Sequence, residues 1–147
     1  MQIRNYNTKD KDELQRIFDL NVPKYFDPKE AILLSNFLDK HGDDYLVLEH
    51  NNIIVGSVGY HTKEEETRGA VTWIFFHPDH QGKGYGKIAV NHCLEKLRAY
   101  KSIKTIEVRT SQLVYNFFSS FGFKVLYTKK DYWGEGLDLY YMEMSID

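Results

Sequence analysis

The residues best suited to chemistry lie between Trp73 and Lys87. An apolar run, Trp73-Ile74-Phe75-Phe76, gives way to His77-Pro78-Asp79-His80 and then to Gln81-Gly82-Lys83-Gly84-Tyr85-Gly86-Lys87, after which a helical pattern begins. Buried strand, glycine-rich turn and helix in that order make a place for an anion. Glycines let a backbone approach a ligand closely, successive N–H groups converge on one point, and the helix N-terminus adds partial positive charge. A phosphate is the natural occupant, but two common phosphate signatures are not met. A P-loop needs a glycine where Gln81 sits and Ser or Thr where Ile88 sits, and the dinucleotide fingerprint needs a third glycine at Lys87. His77 and His80 have a spacing that suits a metal. With no cysteine or third ligand clustered beside them they read as loop residues, and no metal is expected.

The stretch resembles the acyl-CoA loop of the GNAT acetyltransferases, Q/R-x-x-G-x-G/A, at Gln81, Gly84 and Gly86. Phe76 and Pro78 occupy the places of the apolar strand end and the following proline. A second segment, Phe117-Phe118-Ser119-Ser120-Phe121-Gly122-Phe123, is similar to the family's F-Y-x-x-x-G-F. The resemblance implies acetyl-CoA, or a related acyl-CoA, as co-substrate. Its pyrophosphate would sit on the N–H groups of Gln81, Gly82, Lys83, Gly84, Tyr85, Gly86 and Lys87, with charge from the two lysines. Its thioester carbonyl would be held by the main chain at the strand end, at Phe76 with Phe75 beside it.

Acyl transfer to an amine has two proton problems: an alkylammonium must lose a proton to attack, and the departing thiolate gains from receiving one. Glu107, within Ile106-Glu107-Val108-Arg109-Thr110-Ser111, resembles the glutamate of the E-V-R-x-S segment of bacterial protein N-terminal acetyltransferases, which implies a general base and favours a peptide amine. The same residue also reads as an exposed or arginine-paired strand carboxylate. The family tyrosine that would serve the thiolate is replaced by Phe118, which has no proton to give. Tyr115, one helical turn earlier, is the substitute candidate, with packing as its other reading. His61, at a strand end near the expected acceptor cleft, is a further base candidate. Tyr132 and Trp133 fall in a loop that would border the acceptor or form a dimer contact.

Around these residues the elements follow in order. Gln2 to Tyr6 reads as a strand. Asp10 and Glu13 form a capping pair before the stripe Leu14, Ile17, Phe18, and Asp27-Pro28-Lys29-Glu30 opens a second helix that Gly42 ends. Val22 to Phe26 is an aromatic loop between them. Tyr45 to Glu49 and Ile53 to His61 are strands joined at Asn51-Asn52, and the acidic Glu64-Glu65-Glu66 turn is a solvated loop or a guide for a cationic substrate. Ala70 to Phe76 carries no charge and no alternation, as a strand buried on both faces would. A helix from Gly84, a strand Thr105 to Arg109, a helix opened at Ser111 or Gln112 and closed by Gly122, and strands Phe123 to Thr128 and Leu139 to Met144 complete the chain. This is the GNAT order: one α/β (α+β) domain over 1–147, a mixed central sheet of six to seven strands flanked by four helices.

Composition sets the bounds. The chain has 147 residues, 42% of them hydrophobic and 27% charged, enough for one buried core. A net charge of −2 without clustered lysines leaves no footprint for nucleic acid. Cys93 is the only cysteine, so no intrachain disulfide is expected, and with neither an apolar leader nor a membrane-length run the chain reads as soluble and cytoplasmic. The expected activity is transfer of an acetyl group to a primary amine, of a small molecule or a peptide N-terminus. A non-catalytic module that binds or senses acyl-CoA is the alternative, kept open by Phe118. The sequence also leaves a homodimer open.

Overall fold

The computed structural model describes residues 1–146. The strands are β1 (Gln2–Asn5), β2 (Leu46–His50), β3 (Ile53–Lys63), β4 (Arg68–Phe76), β5 (Thr105–Thr110), β6 (Lys124–Gly134) and β7 (Leu137–Ser145). They form one seven-stranded sheet in the order β1-β2-β3-β4-β5-β7-β6, antiparallel except for the parallel pair β4 and β5. Four helices flank it: α1 (Lys11–Asp19), α2 (Glu30–His41), α3 (Tyr85–Arg98) and α4 (Tyr115–Ser119).

Strand alternation divides the core into two layers. Leu46 and Leu48 of β2 join Ala89, Cys93, Leu94 and Leu97 of α3 on one face, whereas Tyr45 and Val47 join Leu14, Ile17 and Phe18 of α1 and Leu34 of α2 on the other. On β5 and β7, Ile106, Val108 and Met142 belong to the α3 layer, so Glu107, Arg109, Tyr141 and Glu143 project from the opposite face. That part of the sheet lies beyond α1 and α2. Charge is tolerated there for that reason.

Three local readings change in the structure. Asn7, whose side chain accepts from Lys9 N, caps a 3-10 turn over Thr8–Asp10 that leads into α1. The Asp10 carboxylate reaches back to Asn7 N and binds Arg4, so the Asp10 and Glu13 pair is not the cap. The fourth helix becomes regular only at Tyr115, after turns over Ser111 to Val114. Trp133 belongs to β6, whose register with β7 shifts between Lys129 and Gly134, so the aromatic segment is an irregular strand end. By contrast, Asp27 and Glu30 form the expected box: Lys29 N donates to Asp27 Oδ2 and Asp27 N to Glu30 Oε2, both at 2.9 Å.

Candidate active site

Two features of β4 open a cleft in the middle of the sheet. Ser57 pairs with Phe75 and Gly59 with Thr72, so Trp73 and Ile74 together oppose Val58, and Trp73 takes a left-handed φ of 45°. Tyr45, fully buried, fixes this bulge: its hydroxyl donates to Trp73 O and lies 2.8 Å from Ser57 Oγ. On the other side, β4 pairs with β5 only from Arg68 with Thr105 to Val71 with Val108. Beyond those valines the two strands diverge. His77 N donates to Val55 O at 2.9 Å, so alternation turns the main chain of Phe76 away from β3 and toward the gap. Phe76 O accepts from Asn21 Nδ2 at 2.9 Å and Gln81 Nε2 at 3.2 Å.

The glycine-rich turn stands at the end of this gap. Gly82 and Gly84 have φ of 78° and 86°, and a Cβ at either would meet nothing within 4 Å, so the backbone conformation and not space calls for glycine. The first helical donor of α3 is Ile88, bonded to Gly84 O at 3.2 Å, which leaves the N–H groups of Tyr85, Gly86 and Lys87 without helical acceptors. Gly86 packs closely, its Cβ position lying 3.2 Å from the Phe117 ring. Lys83 and Lys87 are exposed. This cradle fits a pyrophosphate, since it offers free donors, a helix dipole and no competing carboxylate. The Gln81 side chain is spent on Asn21 and Phe76, leaving its main chain for a ligand. Phe75 is core, with its ring against Phe18 and its backbone paired to Ser57.

A cavity of about 280 Å³ occupies the gap and continues onto the open face of the sheet. Ile74, Val108, Val114 and Phe118 line its apolar part; Glu30, His61, Glu107, Arg109, Thr110 and Ser111 supply polar groups, and Tyr25, Phe26 and Trp133 border it. His61, Thr72 and Trp73 also line a second hollow of about 720 Å³. Trp133 Nε1 donates to Thr110 O at 3.1 Å, which pins the β6–β7 hairpin over the cleft.

The charged floor is a connected network. Glu107 Oε2 accepts from Arg109 at 2.6 Å, and Arg68 lies 3.5 Å from Glu107 Oε1. Arg68 also donates to Tyr141 Oη at 2.7 Å and pairs with Glu143, which accepts from the same phenol at 2.6 Å. Burial and that hydrogen bond push the Tyr141 phenol up to about 12. Burial pulls His61 below the ordinary imidazole value, which keeps it neutral at pH 7.

Of the sequence-derived candidates, the structure brings Glu107 and His61 into the cavity with Trp133. It does not bring Tyr115 there: its ring packs on Tyr140 with centroids 4.7 Å apart. Phe118 is 1% exposed and lines the apolar part. Three residues that shape or line the cleft escaped the sequence reading. Asn21 and Tyr45 act through long-range bonds that leave no local pattern, and Glu30 was visible only as a capping acid. No group of three or more metal-ligating side chains occurs among the described residues, and none of their helices is long and apolar enough to cross a membrane.

Residues 12–123 match the family model of the Acetyltransferase (GNAT) family. The chain belongs to the GNAT family. Its fold is shared with Ard1 from Thermoplasma volcanium, at 15% identity and a TM-score of 0.81 over 99% of this chain and 97% of that one. The ribosomal-protein-S18-alanine N-acetyltransferase from Escherichia coli is similar at 17% identity and a TM-score of 0.78 over 99% and 94%. An aminoglycoside 6'-N-acetyltransferase complexed with coenzyme A is similar at 14% identity and a TM-score of 0.76 over 100% and 98%. No curated protein sequence matches the chain. As a GNAT enzyme it is an acetyl-CoA-dependent acetyltransferase, and the diverged strands and glycine turn are the parts of the chain suited to that co-substrate.

Proposed function

We propose that the acceptor is a primary amine, of a small molecule or a peptide N-terminus, that enters over the charged floor and meets the thioester in the β4–β5 gap. Glu107 is the general base, its carboxylate oriented by Arg109 and Arg68. The Phe76 main chain holds the thioester carbonyl, and Gln81 to Lys87 hold the pyrophosphate. Tyr115, at the start of α4, is the candidate acid for the thiolate. The observation that carries this reading is that one cavity joins Glu107 to Ile74, Val114 and Phe118 in the gap between the diverged strands. The setting is cytoplasmic, and the exposed edge strand β6, with Val125, Leu126, Tyr127 and Tyr132, is the surface a homodimer would use.

Thermal unfolding with and without excess acetyl-CoA tests the cofactor part, because a ligand that binds only the folded state raises its stability by mass action. The expected result is a rise in Tm for the wild type that disappears in Gly84→Asp. No rise in the wild type overturns the assignment. Thiol release with a panel of amines then separates transfer from the second reading, a module that binds acyl-CoA without turnover, which the buried Phe118 favours.

A further inference from the structure

Glu30 stands at the first turn of α2 and is 5% exposed, yet it lines the same cavity as Glu107. A capping glutamate needs only one oxygen for its cap, and it normally keeps the other in water. Here Oε2 accepts from Asp27 N at 2.9 Å, and no cationic side chain pairs with Glu30 among the described residues. Asp27 is held against the β6–β7 hairpin, since a Cβ at Gly134 would fall 2.0 Å from Asp27 Oδ1. The carboxyl is therefore fixed in place, buried and without a counter-charge. Asp27 is the charged group in contact with it, and the other titratable or charged groups that line the same cavity are Tyr25 on the preceding loop, His61 on β3, and Glu107 and Arg109 on β5. Burial raises it to about 7, against the hydrogen bond from Asp27 N, which favours the charged form.

Transfer to an ammonium acceptor removes two protons from one nitrogen. The first must leave before the lone pair can attack; the second leaves as the C–N bond forms, the C–S bond breaks and the sulfur departs as thiolate. One proton ends on the thiolate to give the free thiol, and the other is released to solvent. Glu107, already salt-bridged to Arg109 and Arg68, serves the attacking nitrogen during bond formation.

We propose that Glu30 is a second carboxylate of the acceptor site, the group that takes the proton an ammonium acceptor sheds before attack and passes it to solvent. This rests on the amine-transfer reading above, and it assigns the enzyme to acceptors that arrive as cations.

The test uses the full chain, saturating acetyl-CoA and two amines of similar shape. Ethylamine is cationic at neutral pH, whereas 2,2,2-trifluoroethylamine is too weak a base to be protonated there. Glu30→Gln keeps the capping acceptor and the volume but cannot take a proton. Expected is a loss of about tenfold or more in kcat/KM for ethylamine at pH 7, the low end of what a positioned base contributes, with trifluoroethylamine changed by less than about twofold. The pH dependence of kcat/KM for ethylamine should also lose its inflection near pH 7. Equal losses for both amines would mark Glu30 as structural and overturn the proposal, as would no loss for either. Glu30→Asp, which retains a carboxylate, should keep the wild-type ratio between the amines; a Tm well above the assay temperature in both variants excludes unfolding as the cause. A wild type that binds acetyl-CoA but releases no thiol with either amine would instead sink the amine-transfer reading, and this proposal with it.

Discussion

Asn21 Oδ1 accepts a hydrogen bond of 3.1 Å from Gln81 Nε2, tying the end of α1 to the first residue of the glycine-rich turn across sixty residues of sequence. The same amide donates to Ile17 O at 3.0 Å and to Phe76 O at 2.9 Å. One side chain, 3% exposed, thus joins a helix, the end of β4 and the loop that follows. Asn21→Ala leaves two carbonyls and Gln81 without this partner, a loss of about 1–3 kcal/mol by the cost of unsatisfied buried groups. Chemical denaturation should show that loss, and calorimetry should show weaker acetyl-CoA binding because the loop is no longer held. A variant equally stable and equally tight would remove Asn21 from the site.

Glu107→Gln keeps the shape of the floor but removes the proposed base. Turnover should fall by about a hundredfold or more, as expected for loss of a positioned proton acceptor, while the Kd for acetyl-CoA stays the same. Steady-state kinetics and calorimetry on one preparation check both halves. Full turnover in the variant would reduce Glu107 to a partner of Arg109.

The hydroxyl of Tyr115 has a sharper test, because its ring already has a packing role on Tyr140. If the hydroxyl serves the thiolate, Tyr115→Phe lowers kcat about tenfold or more with Tm unchanged. An unaltered kcat assigns the residue to packing alone, and the thiolate then takes its proton from water.

Glu30 makes stability depend on pH in a definite direction. Its folded value of about 7 lies above the ordinary glutamate value of 4.5, so between those values the folded protein binds more protons than the unfolded one. The group's contribution is present at acid pH and is lost as pH rises through 7. Denaturation of wild type and Glu30→Gln at pH 5 and pH 8 should therefore show the wild type losing stability relative to the variant on going to the higher pH. A difference between the two proteins that is independent of pH would contradict the buried, uncompensated carboxyl.

The sequence by itself determined the element order and the anion cradle. Gly82 and Gly84 announce left-handed backbone because few other residues adopt it freely, and the alternation Tyr45, Leu46, Val47, Leu48 divides between two core layers because a strand repeats every two residues. Those signals are local. Tertiary structure alone decided where the cleft opens, since the Trp73 bulge depends on Tyr45, just before β2, and on Ser57 of β3, and the β4–β5 gap depends on where parallel pairing stops at Val71 and Val108. It also turned Glu30 from a helix cap into a buried acid on the same cavity as Glu107. In sequence the two glutamates are seventy-seven residues apart, and only the tertiary fold puts both on one cavity.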